Sequence, residues 1–386
     1  MKRSIKAGAD VLLSDPSLLG ELGRFSSVGL VTNPTGITKD ARPVFTELID
    51  RGCPIKALFS PEHGVRGDAQ AGESVEEYRD PATGVPVWSA YGPAKARALE
   101  AAASLDCLIF DIQDIGSRYY TYQYTMLDFM KAAADRGIPF WVLDRPPVIG
   151  CRAEGNILDR AFSSGVGRVP IAARTGMTIG ELAGYLNATE DIGCALRVIP
   201  CEGVRRGMFF DEGDLPFVCP SPNLTSPDCA LLYVGTCLFE GTNLSEGRGT
   251  TKPFELFGAP WLDSAALLGE LAAMTSRGML PGCLFRETVF VPTFSKYAGE
   301  LCRGIQIHLT DRDLYRPFET GIRLVDLIRR LHPEEYKTRS FLANLYGSDA
   351  ILKDDFSPDA ALAEAEPALA AYRERIAAFA LYGERY

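Results

Sequence analysis

Residues 105–113 read LDCLIFDIQ, a short apolar run that ends in polar residues. Strands that alternate with helices are typical of βαβ units and a mostly parallel sheet, and continuously apolar strands indicate a sheet that is covered on both faces. The sequence therefore predicts an α/β fold built around a mostly parallel sheet. Comparable apolar runs recur in the first 150 residues, with helical patterns between several of them: SVGLVTN (27–33), CPIKALFS (53–60), VPVWSA (85–90) and IPFWVLD (138–144).

The pattern changes near Arg145. Residues 151–175 are rich in Gly and Arg and are predicted to be a crossover. We therefore expect two domains, 1–150 with the mostly parallel sheet and 151–386, a second α/β domain. Hydrophobic periodicity predicts helices over 41–51, 93–103, 123–136, 177–188, 229–240, 263–275, 319–331 and 358–382, and further strands over 195–203, 284–291 and 303–309.

The chain has 386 residues, with 40 basic and 50 acidic side chains and a formal charge of −10. Nucleic-acid binding depends on clustered Lys and Arg, and the sequence has no such cluster, so no nucleic-acid partner is expected. No apolar run reaches the roughly 18–20 residues of a membrane span, and no signal-peptide core follows the basic start. The ten cysteines form no CxxC pair, which favours reduced thiols. We expect a cytoplasmic protein without a membrane partner, and the oligomeric state stays open.

Polar clusters follow three of the predicted strands, at residues 32–36, 60–64 and 111–120, and a fourth polar loop spans 240–251. In an open parallel sheet, ligands bind beyond the carboxyl ends of the strands. Each cluster mixes polar or charged groups with small residues, which suits a hydroxyl-rich or anionic small molecule. The GxGxxG and GxxxxGK[ST] patterns are absent, so no nucleotide or nicotinamide cofactor is expected.

Glu62 is the sharpest catalytic candidate. It follows an apolar strand and Pro61, and it precedes His63 and Gly64. A half-desolvated carboxyl at this place would have a raised pKa and could act as a general acid. The structural alternative is a carboxylate that caps a loop or the N-terminus of a helix.

Asp111 and Asp114 lie three residues apart after a strand, where they could bind Mg²⁺ or orient a sugar hydroxyl. A helix cap is the structural alternative for Asp111. With only three histidines in the chain, a zinc site is not expected. His308 lies in an alternating strand and His332 at the end of a helix.

Arg66, Arg118 and Arg248 each lie in a candidate loop. Arginines that converge on a cleft favour a substrate carboxylate, whereas a solvated surface is their usual place. Tyrosines 119, 120, 122 and 124 can stack on a sugar face or form a seam of the core.

Six segments carry a resemblance to one family, the NamZ-type exo-β-N-acetylmuramidases, a glycoside hydrolase family long known as a domain of unknown function. They run from about residue 28 to 330, most of the chain. The segments are VTNPTGI (31–37), FSPEHGVRGD (59–68), FDIQDIGSRYYTY (110–122), PSPN (220–223), GTNLSEGRGTTKPFELFGAPW (241–261) and FVPTFSKYAGELCRGIQIHLTD (290–311).

This resemblance implies a Rossmann-like N-terminal domain and a smaller C-terminal α/β domain that completes a cleft. It also implies that the protein releases N-acetylmuramic acid from the non-reducing end of peptidoglycan fragments. No redox cofactor is expected. The proposed catalytic Glu of the family falls on Glu62, which we assign as general acid. The second catalytic role stays open among Glu246, Asp111, Asp114 and the N-acetyl group of the substrate. The predicted substrate-binding residues are Asn33, His63, Arg66, Asp111, Arg118, Tyr119, Asn223, Asn243 and Arg248.

Two segments depart from the family pattern. Arg174-Thr175 stands where the family often has an aromatic residue or His before GMT, and residues 208–219 lack the usual Trp. Both are candidates for the lining of the pocket and for a changed sugar preference. Three alternatives remain: a non-catalytic muropeptide- or sugar-binding protein, a metal-dependent hydrolase built on Asp111 and Asp114, and a nucleotide-using enzyme.

Overall fold

The structure is a computed structural model that describes residues 2–61, 64 and 77–383. No helix in these ranges is long and apolar enough to cross a membrane. The strands are β1 (Val28–Thr32), β2 (Ile55–Ser60), β3 (Tyr78–Arg79), β4 (Pro86–Ser89), β5 (Cys107–Asp111), β6 (Phe140–Leu143), β7 (Ala153–Ile157), β8 (Ala172–Thr175), β9 (Leu196–Ile199), β10 (Leu256–Ala259), β11 (Cys283–Phe290) and β12 (Cys302–Leu309). The α-helices are α1 (Gly8–Ser14), α2 (Pro16–Leu22), α3 (Val44–Asp50), α4 (Lys95–Ala102), α5 (Tyr122–Arg136), α6 (Ile179–Thr189), α7 (Pro227–Thr236), α8 (Ser264–Ser276), α9 (Pro317–Leu331), α10 (Phe341–Tyr346) and α11 (Pro358–Ala377).

Seven strands form one sheet in the order β3-β4-β2-β1-β5-β6-β9. Neighbouring strands are parallel except β3 and β4. Every residue of β1 and β5 is buried, and their side chains enter two cores. Val28 and Leu30 belong to one core and Val31 to the other. The predicted α/β fold with a mostly parallel, doubly covered sheet is therefore confirmed.

This sheet extends beyond the predicted domain boundary at residue 150. β9 pairs in parallel with β6, from Phe140 opposite Leu196 to Leu143 opposite Ile199. The larger core is also continuous, from β5 through α7 to α9. The two halves of the chain therefore share one sheet and one core.

Residues 151–175, predicted to be a crossover, contain the antiparallel pair β7 and β8. Gly155 has a φ of +87°, and a Cβ at this position would lie 2.7 Å from the Cβ of Ala173 and 2.8 Å from the ring of Phe318. Glycine fits both the conformation and the space. Because glycine is depleted in strands, the composition of this segment concealed the strand pair.

The C-terminal part contains the antiparallel sheet β10-β12-β11. The predicted strands 284–291 and 303–309 and the predicted helices 263–275 and 319–331 agree with β11, β12, α8 and α9 to within two residues. The helix predicted over 41–51 is shorter because Ala41 has a φ of 59° and the helix begins only after Pro43.

Candidate active site

A cleft of about 840 Å³ lies at the carboxyl end of the large sheet. This volume is within the range of about 300–1,000 Å³ that is usual for small-molecule sites. One wall follows β4 and β5 and includes Ala90, Tyr91 and residues 119–122. Residues beyond 150 also line the cleft: Ser163, Ser164, Gly165, Val166, Arg168, Ser221, Asn223, Leu224, Tyr233, Glu240, Arg248 and Phe254.

Aromatic rings form a continuous part of the cleft lining. Tyr120 lies edge-on to Tyr122 and Tyr233, with ring centroids 4.8 and 6.2 Å apart. Tyr233 in turn lies edge-on to Phe254, with centroids 4.8 Å apart. Tyr119 also lines the cleft but is 1% exposed, and burial raises its pKa. The rings are thus part of the core and part of the cleft wall.

Glu240 and Arg248 form an ion pair in the cleft wall. Arg248 Nη2 donates to Glu240 Oε1 at 2.7 Å, and the guanidinium lies 5.0 Å from the centroid of the Phe254 ring. Burial, partly offset by Arg248, raises the pKa of Glu240. Glu240 is not among the residues predicted from the sequence, although it begins the polar loop 240–251.

Glu246, predicted as a catalytic residue, lies behind this pair and does not line the cleft. It is buried, accepts a hydrogen bond from Lys296 Nζ at 3.0 Å, and lies 3.4 Å from Arg248 Nε. Lys296 also donates to the carbonyls of Phe239 and Leu244, each at 2.8 Å. This geometry gives Glu246 the role of holding Arg248 in place.

Asp111 follows β5 but does not face the cleft. It is fully buried, and its Oδ1 accepts hydrogen bonds from Arg145 Nε and Nη2 at 2.8 and 2.6 Å. Arg145 thus holds one oxygen of this carboxylate, and Asp111 does not line the described cleft, where the predicted contact with a substrate would occur.

Asp114 is also buried and does not line the cleft. Its Oδ1 accepts a hydrogen bond from the Gly116 N–H at 2.7 Å, and Oδ2 has no hydrogen-bond partner within the described residues. Burial raises the pKa of Asp114 to about 7. The carboxyl can therefore change its charge near neutral pH, but the structure does not place it against a substrate as predicted.

Arg118 is fully buried. Its Nη1 donates to the carbonyls of Asn156 and Ile171 at 2.8 and 3.1 Å, and its Nη2 donates to those of Leu345 and Tyr346 at 3.1 and 2.7 Å. The guanidinium therefore donates hydrogen bonds to main-chain oxygens of the protein. Contrary to the prediction, this side chain is not available to a substrate carboxylate.

Of the three predicted asparagines, Asn223 lines the cleft and the other two do not. Asn33 Oδ1 accepts a hydrogen bond from the Thr35 N–H at 3.0 Å in the turn after β1. Asn243 Nδ2 donates to the Glu335 carbonyl at 2.9 Å, and its Oδ1 accepts from the Lys337 N–H at 2.8 Å. Asn33 and Asn243 thus hydrogen-bond to the backbone outside the described cleft lining.

Glu62, His63 and Arg66 lie outside the described residues. The described chain reaches this segment through Ser60, whose carbonyl accepts a hydrogen bond from the Ala90 N–H at 2.7 Å. Since Ala90 lines the cleft, the chain enters the SPEHG motif beside the cleft.

Lys95, Asp128 and Arg168 also line the cleft. None of the three is among the residues predicted from the sequence. They come from α4, from α5 and from the loop before β8. No motif or spacing connects them, so only the fold could bring them together.

Neither departure from the family pattern lines the cleft. Thr175 is buried, and its carbonyl accepts a hydrogen bond from the Tyr372 hydroxyl at 2.8 Å. Leu215 and Phe217 line a separate cavity of about 20 Å³. In residues 2–61, 64 and 77–383, no three His, Cys, Asp or Glu side chains gather as a metal site.

Comparison with known proteins identifies the family. Family models for the N-terminal and C-terminal parts of exo-beta-N-acetylmuramidase NamZ match residues 28–228 and 231–382. The peptidoglycan beta-N-acetylmuramidase NamZ of Bacillus subtilis is 46% identical over 340 residues, which are 87% of this chain and 80% of that protein. Two solved DUF1343 family proteins of Bacteroides fragilis are 30% and 29% identical, with TM-scores of 0.89 and 0.79, over 99% of this chain and 100% of each of theirs. This chain therefore belongs to the NamZ exo-β-N-acetylmuramidase family of glycoside hydrolases.

Proposed function

We propose that this protein is an exo-acting glycosidase that releases N-acetylmuramic acid, or a related amino sugar, from the non-reducing end of peptidoglycan fragments. The observation that carries this proposal is the cleft of about 840 Å³ at the strand ends, where aromatic rings and the Glu240 carboxyl meet. Aromatic faces suit the apolar face of a sugar ring. The substrate named for the Bacillus subtilis relative supports the same substrate class.

We assign the general acid to Glu62. Glycoside hydrolysis usually needs a carboxylic acid that protonates the leaving oxygen. Consecutive Cα atoms are about 3.8 Å apart, so the covalent chain keeps Glu62 within two residues of Ser60, the neighbour of the cleft-lining Ala90. The sequence position and the family motif support this role.

Glu240 is our candidate for the second carboxylate. It lines the cleft, whereas Glu246, Asp111 and Asp114 do not. Its raised pKa makes it a better proton acceptor than an ordinary carboxylate, and the hydrogen bond from Arg248 fixes its orientation.

In the proposed reaction, the proton of Glu62 moves to the glycosidic oxygen as the bond from that oxygen to the anomeric carbon breaks. A water molecule adds its oxygen to the anomeric carbon, and Glu240 takes the proton released by that water. When the substrate N-acetyl group attacks first, Glu240 instead orients that group while its carbonyl oxygen bonds to the anomeric carbon. Water then attacks the anomeric carbon, the bond to the acetyl oxygen breaks, and the Glu62 carboxylate takes the proton of that water. The anomer that forms first, measured by NMR, separates these routes because direct attack inverts the configuration and assistance by the substrate retains it.

The decisive experiment compares the wild type with Glu62→Gln on para-nitrophenyl N-acetylmuramic acid. We expect the variant to lose about 10²–10⁴-fold in kcat and to retain binding of the N-acetylmuramic acid–N-acetylglucosamine disaccharide in calorimetry. Glu100→Gln, an exposed carboxylate on α4, is the matched control and keeps full activity. Binding without cleavage by the wild type would indicate a sugar-binding protein, and loss of turnover in excess chelator would favour the metal-dependent alternative.

A further inference from the structure

Lys95 and Arg168, which we call the cation pair, share one carboxylate in the cleft wall. Asp128 Oδ2 accepts a hydrogen bond from Lys95 Nζ at 3.0 Å, and its Oδ1 accepts one from Arg168 Nη2 at 2.7 Å. The side chains of the cation pair are 44% and 30% exposed, whereas that of Asp128 is 12% exposed. The two cations are therefore the accessible part of the cluster.

The cluster carries a positive charge in a chain whose formal charge is −10. Burial acts to raise the pKa of Asp128, but the hydrogen bonds and charges of Arg168 and Lys95 outweigh burial and lower it. Asp128 therefore stays ionised and compensates one of the two cations. Because an ammonium has three N–H groups and a guanidinium has five, both members of the pair can donate to a ligand while they hold Asp128.

Arg248, the other cation of the described cleft lining, has its charge balanced by carboxylates. Arg248 donates to Glu240 at 2.7 Å and lies 3.4 Å from Glu246, so it has a carboxylate on two sides. Among the described residues that line the cleft, the cation pair therefore holds the uncompensated positive charge.

We propose that Lys95 and Arg168 bind the lactyl carboxylate of N-acetylmuramic acid and so determine the preference of this cleft for that sugar over N-acetylglucosamine. The inference rests on the proposed function and names the substrate group that the site recognises. A carboxylate held by an ammonium and a guanidinium makes charge-assisted hydrogen bonds, which are stronger than neutral ones.

The test compares two substrates of nearly equal size, para-nitrophenyl N-acetylmuramic acid and its lactyl methyl ester. In the double variant Lys95→Gln/Arg168→Gln we expect the KM for the acid to rise about 10–100-fold, as for lost hydrogen bonds to a charged group, with kcat and the KM for the ester unchanged. Lys131→Gln/Arg136→Gln is the matched control, because it removes the same charges from exposed positions of α5 outside the cleft lining.

Asp128→Asn tests the same proposal in the opposite direction. It removes the competing carboxylate, so the KM for the acid should fall while the KM for the ester stays constant. Lys95→Arg/Arg168→Lys keeps both positive charges and should retain most of the preference for the acid over the ester. Should the double variant fail to fold, Lys95→Gln alone changes the more exposed cation and should raise the KM for the acid selectively.

Equal changes for acid and ester in the double variant, or a higher KM for the acid in Asp128→Asn, would overturn the role of the cation pair. Failure of the wild type to cleave either substrate would instead overturn the proposed function. A wild type that prefers the acid, with a double variant that keeps this preference, would leave the glycosidase standing and reject only the present inference.

Discussion

Among the described residues, the cleft lining contains two carboxylates, Asp128 and Glu240. Their surroundings shift the two pKa values in opposite directions. Both accept a hydrogen bond from an arginine at 2.7 Å. Asp128 also binds Lys95, and its pKa is lowered, whereas Glu240 lies nearer to other carboxylate charge, including Glu246, and its pKa is raised mainly by burial. The comparison shows that one arginine does not by itself determine the charge state of a carboxylate. Burial and the charge of a second neighbour, Lys95 beside Asp128 and Glu246 beside Glu240, determine it as well. We therefore expect Asp128 to stay ionised and to compete with the substrate carboxylate for the cation pair, and Glu240 to take part in proton transfer.

The largest effect that this comparison predicts is on turnover. Glu240→Gln should lower kcat by about 10²–10³-fold because the base is lost, while Asp128→Asn should leave kcat unchanged. Steady-state kinetics on para-nitrophenyl N-acetylmuramic acid measure both variants. A Glu240→Gln enzyme with normal kcat and a raised KM would show that Glu240 only binds the sugar.

An intermediate effect is expected on stability, because the Glu240 side of the cleft is supported by the buried ion pair of Lys296 and Glu246. Lys296→Met leaves Glu246 without its amine partner and should lower the free energy of unfolding by about 3 kcal/mol, as for other broken buried pairs. Lys353→Met is the control: its pair with Asp349 is 60% and 62% exposed, so the change should be below about 1 kcal/mol. Equal urea midpoints for the two variants would contradict a supporting role for Lys296.

The smallest predicted effect is on the pH dependence of the free energy of unfolding, to which Asp128 and Glu240 contribute with opposite signs. The pKa of Asp128 is lower in the folded protein, so its stabilising contribution is present above the usual aspartate pKa and is lost as the pH falls below about 4. The pKa of Glu240 is raised, so its contribution is present at low pH and is lost as the pH rises above about 4.3.

Urea unfolding across this range measures both signs. Relative to the wild type, Asp128→Asn should be less stable at neutral pH, with a deficit that shrinks in acid, and Glu240→Gln should gain stability as the pH rises. If the free energies of unfolding of the two variants changed with pH in the same direction relative to the wild type, the predicted opposite pKa shifts of Asp128 and Glu240 would be wrong.

Much of the fold could be predicted because its strands are buried and therefore apolar. Runs such as 27–33 and 105–113 correspond to β1 and β5. The strands β7 and β10 were missed because Gly155 and Gly258 make room for close neighbours and weaken the apolar signal. The boundary at residue 150 was placed where the composition changes, but composition does not show that β9 returns to the first sheet.

The candidate site could be predicted only in part. The strand ends indicated polar groups such as Asp111 and Arg118, but the partners of these groups are remote in sequence. Asp111 binds Arg145, and Arg118 binds the carbonyl of Tyr346, so residues that resemble ligand-binding groups are occupied by the protein itself. Lys95 and Asp128 have no local motif at all, and tertiary contacts alone bring them to the cleft.

The buried Arg118 guanidinium has one more consequence. It joins the loop after β5, which forms one wall of the cleft, to the carbonyls of Leu345 and Tyr346 near the far end of the chain. Moving this loop away from α10 would leave the buried guanidinium without these two acceptors. We therefore expect the loop after β5 to keep its position against α10 through a catalytic cycle, so that a sugar meets a cleft wall that is already formed.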